Sequence, residues 1–295
     1  MKIYICYNIT NSPHGGANQF LRALKEEFKK RGLYADSPKE AHVILFNSHQ
    51  NLNEIVDIKK RFSSKCFVHR VDGPMRLYND LSDKRDDTVY LLNDKIADAT
   101  IFQSGWSKEK NIKMGMRQDK PSTIITNSVD SKIFNNQNKP VGRQKIRCIS
   151  TSFSPNYRKG HKYYSFLDSN LDFDKFEYVF VGNSPVKYKN IKLLGCLDTH
   201  GVAQELRNSD VYITASENDP CSNSLMEAMS TGLRIIALNS GGHPEIVANS
   251  DCLFNSEEEL LSKLTNYNLL TMSHKVATIE QISDKYLSFF RDTQT

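Results

Sequence analysis

The residues best suited to chemistry lie between Ser216 and Val247, in the stretch SENDPCSNSLMEAMSTGLRIIALNSGGHPEIV. Asp219 and Glu227 are separated by seven residues, and Pro220 directly follows the first acid. A proline here stops the preceding strand and favours a turn. The carboxylate of Glu227 can accept two hydrogen bonds from hydroxyl groups, which suits a ribose diol. An ordinary capped helix with solvated carboxylates is the alternative that the local spacing leaves open.

The start of the helix after Pro220 is a candidate anion site. Ser222 or Asn223 can cap this helix, which leaves backbone N–H groups from Asn223 to Leu225 for a ligand. Because a helix N-terminus carries partial positive charge, these groups suit a diphosphate. The candidate phosphate-binding residues are therefore Ser222, Asn223, Ser224 and Leu225.

Strand-like apolar runs alternate with helix-like segments along the chain, which predicts βαβ units and parallel sheets. The polar stretch 136–145 contains Pro and Gly, and we interpret it as a linker. We therefore predict an α/β protein with two Rossmann-like domains, 1–135 and 146–295. Ligands of such sheets bind at the carboxyl ends of strands, so a cleft between the domains is the expected site. The predicted strands are 2–8, 42–48, 65–71, 99–104, 122–128, 146–151, 176–183, 191–196, 211–216, 234–238 and 252–254.

The composition excludes several classes of protein. Apolar residues make up 39% and charged residues 25% of the 295 residues, which excludes collagen-like and disordered chains. A net charge of +5 is too small to indicate a nucleic-acid partner. None of the six cysteines has C-x-x-C spacing, so no zinc site is predicted. The N-terminal stretch lacks the apolar core of a secretory signal, and we expect a cytoplasmic protein.

Several segments together resemble the retaining glycosyltransferases of family 4, which have the GT-B fold. The run DPCSNSLMEAM, followed by GLRIIA and SGGHPEIV, resembles the E-x7-E region of that family. Further segments keep the order found in the family: PHGGANQFLRAL (13–24), FVHRVDGP (67–74), IFQSGWSK (101–108), ITNSVDSKIF (125–134), RKG (158–160) and LRNSDVYITAS (206–216). The resemblance implies a GT-B architecture in which the last helix, about 275–291, can cross back to the first domain.

The resemblance also assigns roles to two acids and a lysine. Glu227 matches the acid that holds the donor ribose, and Asp219 matches the acid that contacts the transferred sugar near its reacting carbon. Lys159 matches a lysine that neutralises the diphosphate. Position 219 is more commonly Glu in the family, and Glu217 is the alternative for the first working acid.

Two positions depart from the family or have a second interpretation. The family's arginine, a few residues before the lysine, is absent, because 151–153 read Thr-Ser-Phe. We expect Arg158 to replace it. His69, near the end of a predicted strand, matches a histidine that hydrogen-bonds the donor sugar. The alternative is a structural histidine beside a local ion pair of Arg70 and Asp72.

Gly15 and Gly16 follow the first predicted strand and match the Gly-Gly loop of the family. They would let the backbone approach a phosphate or an acceptor closely. A plain tight turn is the alternative. The run is not G-x-G-x-x-G, so the dinucleotide-binding fingerprint is missing.

The implied activity is transfer of a hexose from a nucleotide-diphosphate sugar to an acceptor hydroxyl with retention of configuration, in the synthesis of a glycan or glycoconjugate. No D-x-D motif stands where it would bridge phosphates, so we expect neither a metal nor another cofactor. The acceptor, whether a glycan, a lipid-linked compound or a small molecule, is what the sequence defines least. A non-catalytic protein that binds sugar nucleotides or glycans, and a sugar-nucleotide epimerase, are the alternatives.

A cluster of basic residues lies at the end of the first predicted helix: Lys25, Lys29, Lys30 and Arg31. Such a cluster could rest on anionic lipid and give weak peripheral association with a membrane. A solvated helix face is the alternative.

Overall fold

Two parallel β-sheets form the framework of the described part of the chain, which in this computed structural model comprises residues 1–10, 16–137, 139, 142–270 and 276–294. The chain divides into two units, and each contains one sheet. The first unit comprises Met1–Thr10, Ala17–Ser128 and Ala277–Thr295, and the second comprises Asn11–Gly16 and Val129–Val276. The predicted α/β class with two parallel sheets is confirmed.

The sheet of the first unit has the strand order β1-β2-β3-β4-β5, with every described pair parallel. Its strands are β1 (Ile3–Cys6), β2 (Val43–Asn47), β3 (Cys66–Val71), β4 (Ala99–Phe102) and β5 (Ser122–Ile124). The helices along this part of the chain are α1 (Gly16–Lys30), α2 (Leu52–Arg61), α3 (Met75–Tyr78), α4 (Arg85–Lys95) and α5 (Gly105–Lys113).

Both faces of the first sheet are covered by helices. Successive strand side chains point to opposite faces, so Val43 and Leu45 enter the apolar cluster that contains Phe20 of α1. Their neighbours, including Phe46, enter the cluster that contains Ile55 of α2. A strand buried on both faces is apolar throughout, which is why β2 shows no alternation in its sequence.

The sheet of the second unit has the strand order β11-β10-β9-β6-β7-β8. Its strands are β6 (Ile146–Ser152), β7 (Phe176–Gly182), β8 (Lys192–Gly195), β9 (Val211–Thr214), β10 (Arg234–Leu238) and β11 (Leu253–Phe254). Its helices are α6 (His161–Asn170), α7 (Thr199–Arg207), α8 (Asn223–Ser230), α9 (His243–Val247) and α10 (Glu257–Thr265), with 3-10 helices at Tyr157–Lys159, Ser250–Cys252 and Tyr267–Leu269. Apolar clusters cover both faces of this sheet.

The division between the units differs from the predicted one near residue 129, whereas the last helix was already expected to be able to join the first unit. The main stretch of the second unit begins at Val129, because Val129 and Phe134 are buried in its core, although both were predicted to lie in the first domain. The final helix, α11 (Ile279–Asp292), belongs to the first unit. Its Tyr286 and Phe290 are fully buried there and pack beside α1.

The basic residues at the end of α1 are largely neutralised by carboxylates of the first unit. Lys29 lies 3.1 Å from Glu26. Arg31 lies 2.6 Å from Glu27 and 2.5 Å from Asp284 of α11. Lys30 lies 3.5 Å from Glu27 and 3.7 Å from Glu280, and the Lys25 ammonium group lies over the ring of Tyr34. This pattern favours a solvated, charge-compensated helix face over a lipid-binding one.

Candidate active site

The carboxyl ends of β6 and β9 are the expected ligand site of the second sheet. From β6 the chain runs outward through β7 and β8, and then returns to β9 on the other side of β6. In open α/β sheets, ligands bind outside the carboxyl ends of strands where the order reverses in this way. The loops that follow β6 and β9 carry Lys159 and Asp219, respectively.

The loop after β6 is shaped by a cap and a glycine. The side chain of Asn156 accepts a hydrogen bond from the Arg158 amide at 3.0 Å and starts the 3-10 helix that holds Lys159. Gly160 ends this helix at a φ of +100°, and a Cβ there would lie 2.7 Å from that of Ala215, beyond the end of β9. Only glycine combines this conformation with this close approach. The packing therefore places Lys159 beside the β9 loop.

Lys159 and Asp219 form an ion pair between the two loops. The Lys159 Nζ lies 2.8 Å from Asp219 Oδ2, and the side chains are 19% and 13% exposed. The Cys221 amide donates to the other oxygen of the same carboxylate at 3.2 Å. Glu217 is tied to the first loop only through its backbone, where its amide donates to the Arg158 carbonyl at 2.8 Å. The geometry therefore brings Asp219 to the lysine.

The ionisation of Asp219 follows from this pairing. Burial raises the pKa of the Asp219 carboxyl, but the charges of Lys159 and His243 and the hydrogen bonds from Lys159 and the Cys221 amide outweigh it, so the pKa is lowered. Burial lowers the pKa of His243, whose ring is fully buried. Asp219 is therefore a carboxylate at neutral pH.

The turn after β10 packs against the backbone of Asp219 and hydrogen-bonds to it. Gly241 has a φ of +62°, and a Cβ at this position would lie 2.2 Å from the Asp219 carbonyl oxygen. The Gly242 amide donates to that carbonyl at 2.8 Å, and the Ser240 hydroxyl accepts from the Asn218 amide at 3.0 Å. This contact gives the two glycines of the SGGHPE run a positioning role that sequence reasoning did not assign to them.

The start of α8 is capped as the sequence predicts. Ser222 is the N-cap, and its hydroxyl accepts a hydrogen bond from the Leu225 amide at 3.4 Å. Leu225 is fully buried, while Asn223 and Ser224 are partly exposed. The first N–H groups of a helix have no partner within the helix, and they carry its positive end. This helix start immediately follows the loop that holds Asp219, so cation, carboxylate and helix end belong to one edge of the sheet.

Glu227 lies in the second turn of α8 and is partly exposed. Burial raises the pKa of its carboxyl to about 7. Its charge in turn raises the pKa of Tyr212 on β9, although burial is the larger cause there. Glu227 therefore titrates near neutral pH and lies close to the tyrosine of the neighbouring strand.

Three other predicted residues have simpler placements. Arg158 is exposed. Gly15 lies outside the described residues. Gly16 is described, and its carbonyl accepts a hydrogen bond from the Asn223 side chain at 2.7 Å within the second unit.

His69 does not fit the sugar-contacting role that the resemblance implied. The strand β3 continues to Val71, and His69 is fully buried within it, stacked on Phe46 at 4.3 Å between ring centroids. One ring nitrogen lies 3.0 Å from the Ser48 carbonyl oxygen and the other 3.3 Å from the Asn93 amide. Burial lowers the pKa of the ring to about 3. These contacts agree with the alternative, a neutral structural histidine.

The polar group that sequence reasoning missed in the first unit surrounds Arg70 and Asp72. Residues i and i+2 of a strand lie on one face, and these two side chains meet at 3.2 Å at the end of β3. Their R-x-D spacing was interpreted only as a local ion pair. The spacing does not reveal the amide side chains that other strands add to it.

Two kinds of feature are absent from the part of the chain that the structure describes. No group of three or more His, Cys, Asp and Glu side chains there could hold a metal ion. No helix among the same residues has the length and apolar character needed to cross a membrane.

Part of the chain is similar to a known protein family. Residues 165–267 match the family Glycosyl transferases group 1. This segment includes Asp219 and Glu227, whereas Lys159 lies before it. No curated protein sequence matches the chain.

The fold matches those of solved glycosyltransferase structures with the GT-B architecture. Sucrose-phosphate synthase (tll1590) from Thermosynechococcus elongatus is 14% identical with a TM-score of 0.77, and the match covers 98% of each chain. Anabaena Alr3699/HepE in complex with UDP-glucose is 15% identical with a TM-score of 0.71, covering 100% of this chain and 98% of that one. The E. coli trehalose-6-phosphate protein bound with UDP-2-fluoro glucose is 12% identical with a TM-score of 0.60, covering 93% and 75%. The predicted GT-B fold and the resemblance to glycosyltransferases are confirmed.

Proposed function

We propose that the protein is a retaining glycosyltransferase that moves a hexose from a UDP-sugar to an acceptor hydroxyl. The observation that carries this proposal is the 2.8 Å pair of Lys159 and Asp219 at the point where the strand order reverses. Beside it begins a capped helix with Glu227 in its second turn. The match of residues 165–267 to group 1 glycosyl transferases supports the same conclusion.

The charges of this site suit a reaction whose leaving group is a diphosphate. Negative charge develops on that group as the bond to the sugar breaks, and fixed positive groups stabilise it. Lys159 and the first turn of α8 would supply those positive groups, so the proposal requires no metal. Glu227 would accept hydrogen bonds from the ribose hydroxyls of the nucleotide.

Because Lys159 is paired with Asp219, binding of the donor would also change the surroundings of Asp219. A diphosphate that binds Lys159 competes with Asp219 for the ammonium group. The displaced carboxylate would then be free to accept a hydrogen bond from a hydroxyl of the transferred sugar. Donor binding would thus place Asp219 near the reacting carbon.

Uridine is proposed as the nucleotide because structural neighbours have been solved with UDP compounds bound. HepE is described in complex with UDP-glucose, and the E. coli protein with UDP-2-fluoro glucose. A thermal-shift panel of UDP-glucose, GDP-mannose and ADP-glucose tests this choice, since a ligand that binds the folded state raises the Tm by mass action. We expect UDP-glucose to give the largest shift.

Release of UDP from UDP-glucose by Glu227→Ala and Lys159→Ala tests the activity. We expect both variants to lose most of the turnover and the control Lys162→Ala to keep it, because Lys162 is 60% exposed and pairs with Glu257. Undiminished turnover in both site variants would contradict the assignment. Binding without any product would support a non-catalytic protein, and formation of an epimer from UDP-N-acetylglucosamine without acceptor would support an epimerase.

A further inference from the structure

The largest fully buried side chain of the described residues is Arg70 on β3. Its guanidinium group donates to the Asn47 side chain, to Asp72 Oδ1 at 3.2 Å and to Asn127 Oδ1 at 2.6 Å. The group also lies 5.0 Å from the ring centroid of Phe20. A charge buried this deeply is retained only with an opposite charge and hydrogen bonds around it.

Asp72 is the partly exposed end of this buried network. It directly follows β3, and its side chain is 15% exposed. Besides Arg70, the carboxylate accepts hydrogen bonds from the Gln103 side chain and, at 3.3 Å, from the Asn47 side chain. Its donors therefore come from the ends of the neighbouring strands β2 and β4, so the orientation of the carboxylate is determined from both sides.

The backbone of Asp72 is held as firmly as its side chain. Its amide donates to the Ser48 hydroxyl at 3.1 Å. Its carbonyl accepts from the Ser107 hydroxyl at 3.1 Å and from the Asn111 side chain at 2.9 Å. Replacing a buried ion pair by packed apolar residues is often neutral or stabilising, so such a network is weak evidence for stability alone. A partly exposed carboxylate that is held through its backbone and its side chain has the preorganisation required of a binding group.

The adjacent loop after β2 shows two further signs of a ligand site. Ser48 and Asn51 have positive φ values of 40° and 55° although neither is glycine, and such strain concentrates at functional sites. Between them, His49 buries its Nδ1 without a hydrogen-bond partner among the described residues. The charge of Asp72 raises the pKa of His49. Burial and the charge of Arg85 lower this pKa by more, so it is lowered overall.

The charges around this edge of the sheet disfavour an anion. The carboxylates that act on His49 are Asp72, Asp83 and Asp86. The nearby cations are already ion-paired, since Arg85 lies 2.5 Å from Asp83 and Arg76 lies 2.7 Å from Asp87. Arg70 is fully buried, and its two terminal nitrogens donate to its own partners, although its Nε has no hydrogen-bond partner among the described residues. An uncharged hydroxyl group satisfies the remaining lone pairs of a carboxylate without like-charge repulsion.

We propose that Asp72 accepts a hydrogen bond from a hydroxyl group of the acceptor substrate, that Arg70 is its positioning residue, and that the acceptor carries no phosphate or other anion at this site. The inference rests on the proposed function, which makes an alcohol the second substrate. It adds the residue that recognises that alcohol and the charge class that the residue selects.

Ligand-observed NMR with two probes, methyl α-D-glucopyranoside and glucose 6-phosphate, tests the proposal in the full chain with UDP present. We expect the neutral glycoside to bind and the phosphate ester to bind at least tenfold more weakly. Asp72→Asn should weaken binding of the glycoside by about 10- to 100-fold, because a hydrogen bond to a charged group is lost. Asp98→Asn is the matched control, since Asp98 pairs with Lys59 and receives the Phe67 amide at the opposite end of the same sheet.

A second variant separates recognition from folding. Asp72→Asn leaves Arg70 buried without its counter-charge, whereas Arg70→Met with Asp72→Asn removes both charges. If the single variant unfolds, the double variant is measured instead, and we expect it to fold and to lose the glycoside. Three outcomes would overturn the proposal. A folded Asp72 variant could still bind the glycoside, the wild type could bind glucose 6-phosphate more tightly than the glycoside, or the wild type could bind neither probe. Calorimetric binding of UDP-glucose in the same samples reports on the proposed function separately, because its absence in the wild type would contradict that function alone.

Discussion

The ammonium group of Lys159 lies 2.8 Å from the carboxylate of Asp219, and both side chains are largely shielded from water. The two residues are distant in sequence and meet only because β6 and β9 are neighbours in the sheet. In the absence of a donor, each therefore satisfies the charge of the other. Under the proposed function, the diphosphate of a bound donor would replace Asp219 as the partner of the lysine.

Replacing Lys159 by Met should lower turnover of UDP-glucose by about 10²- to 10³-fold, the usual effect of removing one group that stabilises developing charge. Lys159→Arg should retain part of the activity, because it keeps the charge but not the shape of the ammonium group. The rate of UDP release measures both. Lys162→Met, one turn later on α6 and 60% exposed, is the control. Wild-type turnover in Lys159→Met would show that the lysine does not contact the leaving group.

The affinity for UDP-glucose should rise with pH through the titration of Glu227. The pKa of this carboxyl is about 7 in the free protein, and the carboxylate accepts hydrogen bonds from a diol better than the neutral acid does. Between pH 6 and pH 8 the ionised fraction rises from about 0.1 to about 0.9, so we expect a gain of about tenfold in affinity. Calorimetric titration at pH 6, 7 and 8 measures it. In Glu227→Gln the pH dependence should disappear, and its persistence there would assign it to another group.

The same carboxyl should make the folded state less stable at alkaline pH. Because burial raises the pKa of Glu227 from 4.5 to about 7, the folded protein holds this proton more tightly than the unfolded chain does. Stability is therefore lost as the pH rises from about 4.5 through 7. At pH 8, Glu227→Gln should be more stable than the wild type by up to about 3 kcal/mol, and the difference should vanish below pH 4.5.

Urea unfolding at pH 4.5 and pH 8 provides this comparison. The control is Glu177→Gln, because Glu177 on β7 is 46% exposed. A Glu227→Gln variant that is less stable than the wild type at pH 8 would show that the carboxylate has a stabilising partner.

Gly241→Ala should destabilise the protein and displace Asp219. The substitution adds a Cβ at a φ of +62° and only 2.2 Å from the Asp219 carbonyl oxygen. Strain of this kind costs on the order of 1–3 kcal/mol before the clash is relieved. Gly232→Ala is the matched control, since Gly232 has a φ of +70° but its nearest neighbour is the Asn136 Cβ at 3.4 Å.

Chemical denaturation and UDP release should be measured on both glycine variants. Both should lose stability, but only Gly241→Ala should also lose most of its turnover in the folded state. Equal turnover in the two folded variants would show that the turn at Gly241 does not control the position of Asp219.

The order of helices and strands was predictable because hydrophobic periodicity is a local signal. Strand β10 has the predicted bounds 234–238, and β7 ends one residue before the predicted end of the strand 176–183. The helix α3 was not predicted, since four residues are too few to show a period. The predicted strand 65–71 agrees with β3, but the run FVHRV is buried on both sides, so its composition did not reveal that the His69 side chain is itself buried.

The candidate site was predictable in its residues but not in its geometry. The types and spacing of Asp219, Ser222 and Glu227 indicate a helix start with two acids, and the structure places all three on one loop and helix. The contact between Lys159 and Asp219 depends on strand order, which is not encoded locally. The network of Arg70 and Asp72 likewise takes its members from several strands, and so it became apparent only in the folded sheet.

The first unit is assembled from separate stretches of chain, and its last contribution is α11. During translation, β1 to β5 leave the ribosome long before Tyr286 and Phe290 are available to cover them, whereas the described second unit is nearly continuous in sequence. Domains commonly fold from the N-terminus onward as they are synthesised. In this protein the interior of the first unit is complete only after α11 has been synthesised, although its strands are made first.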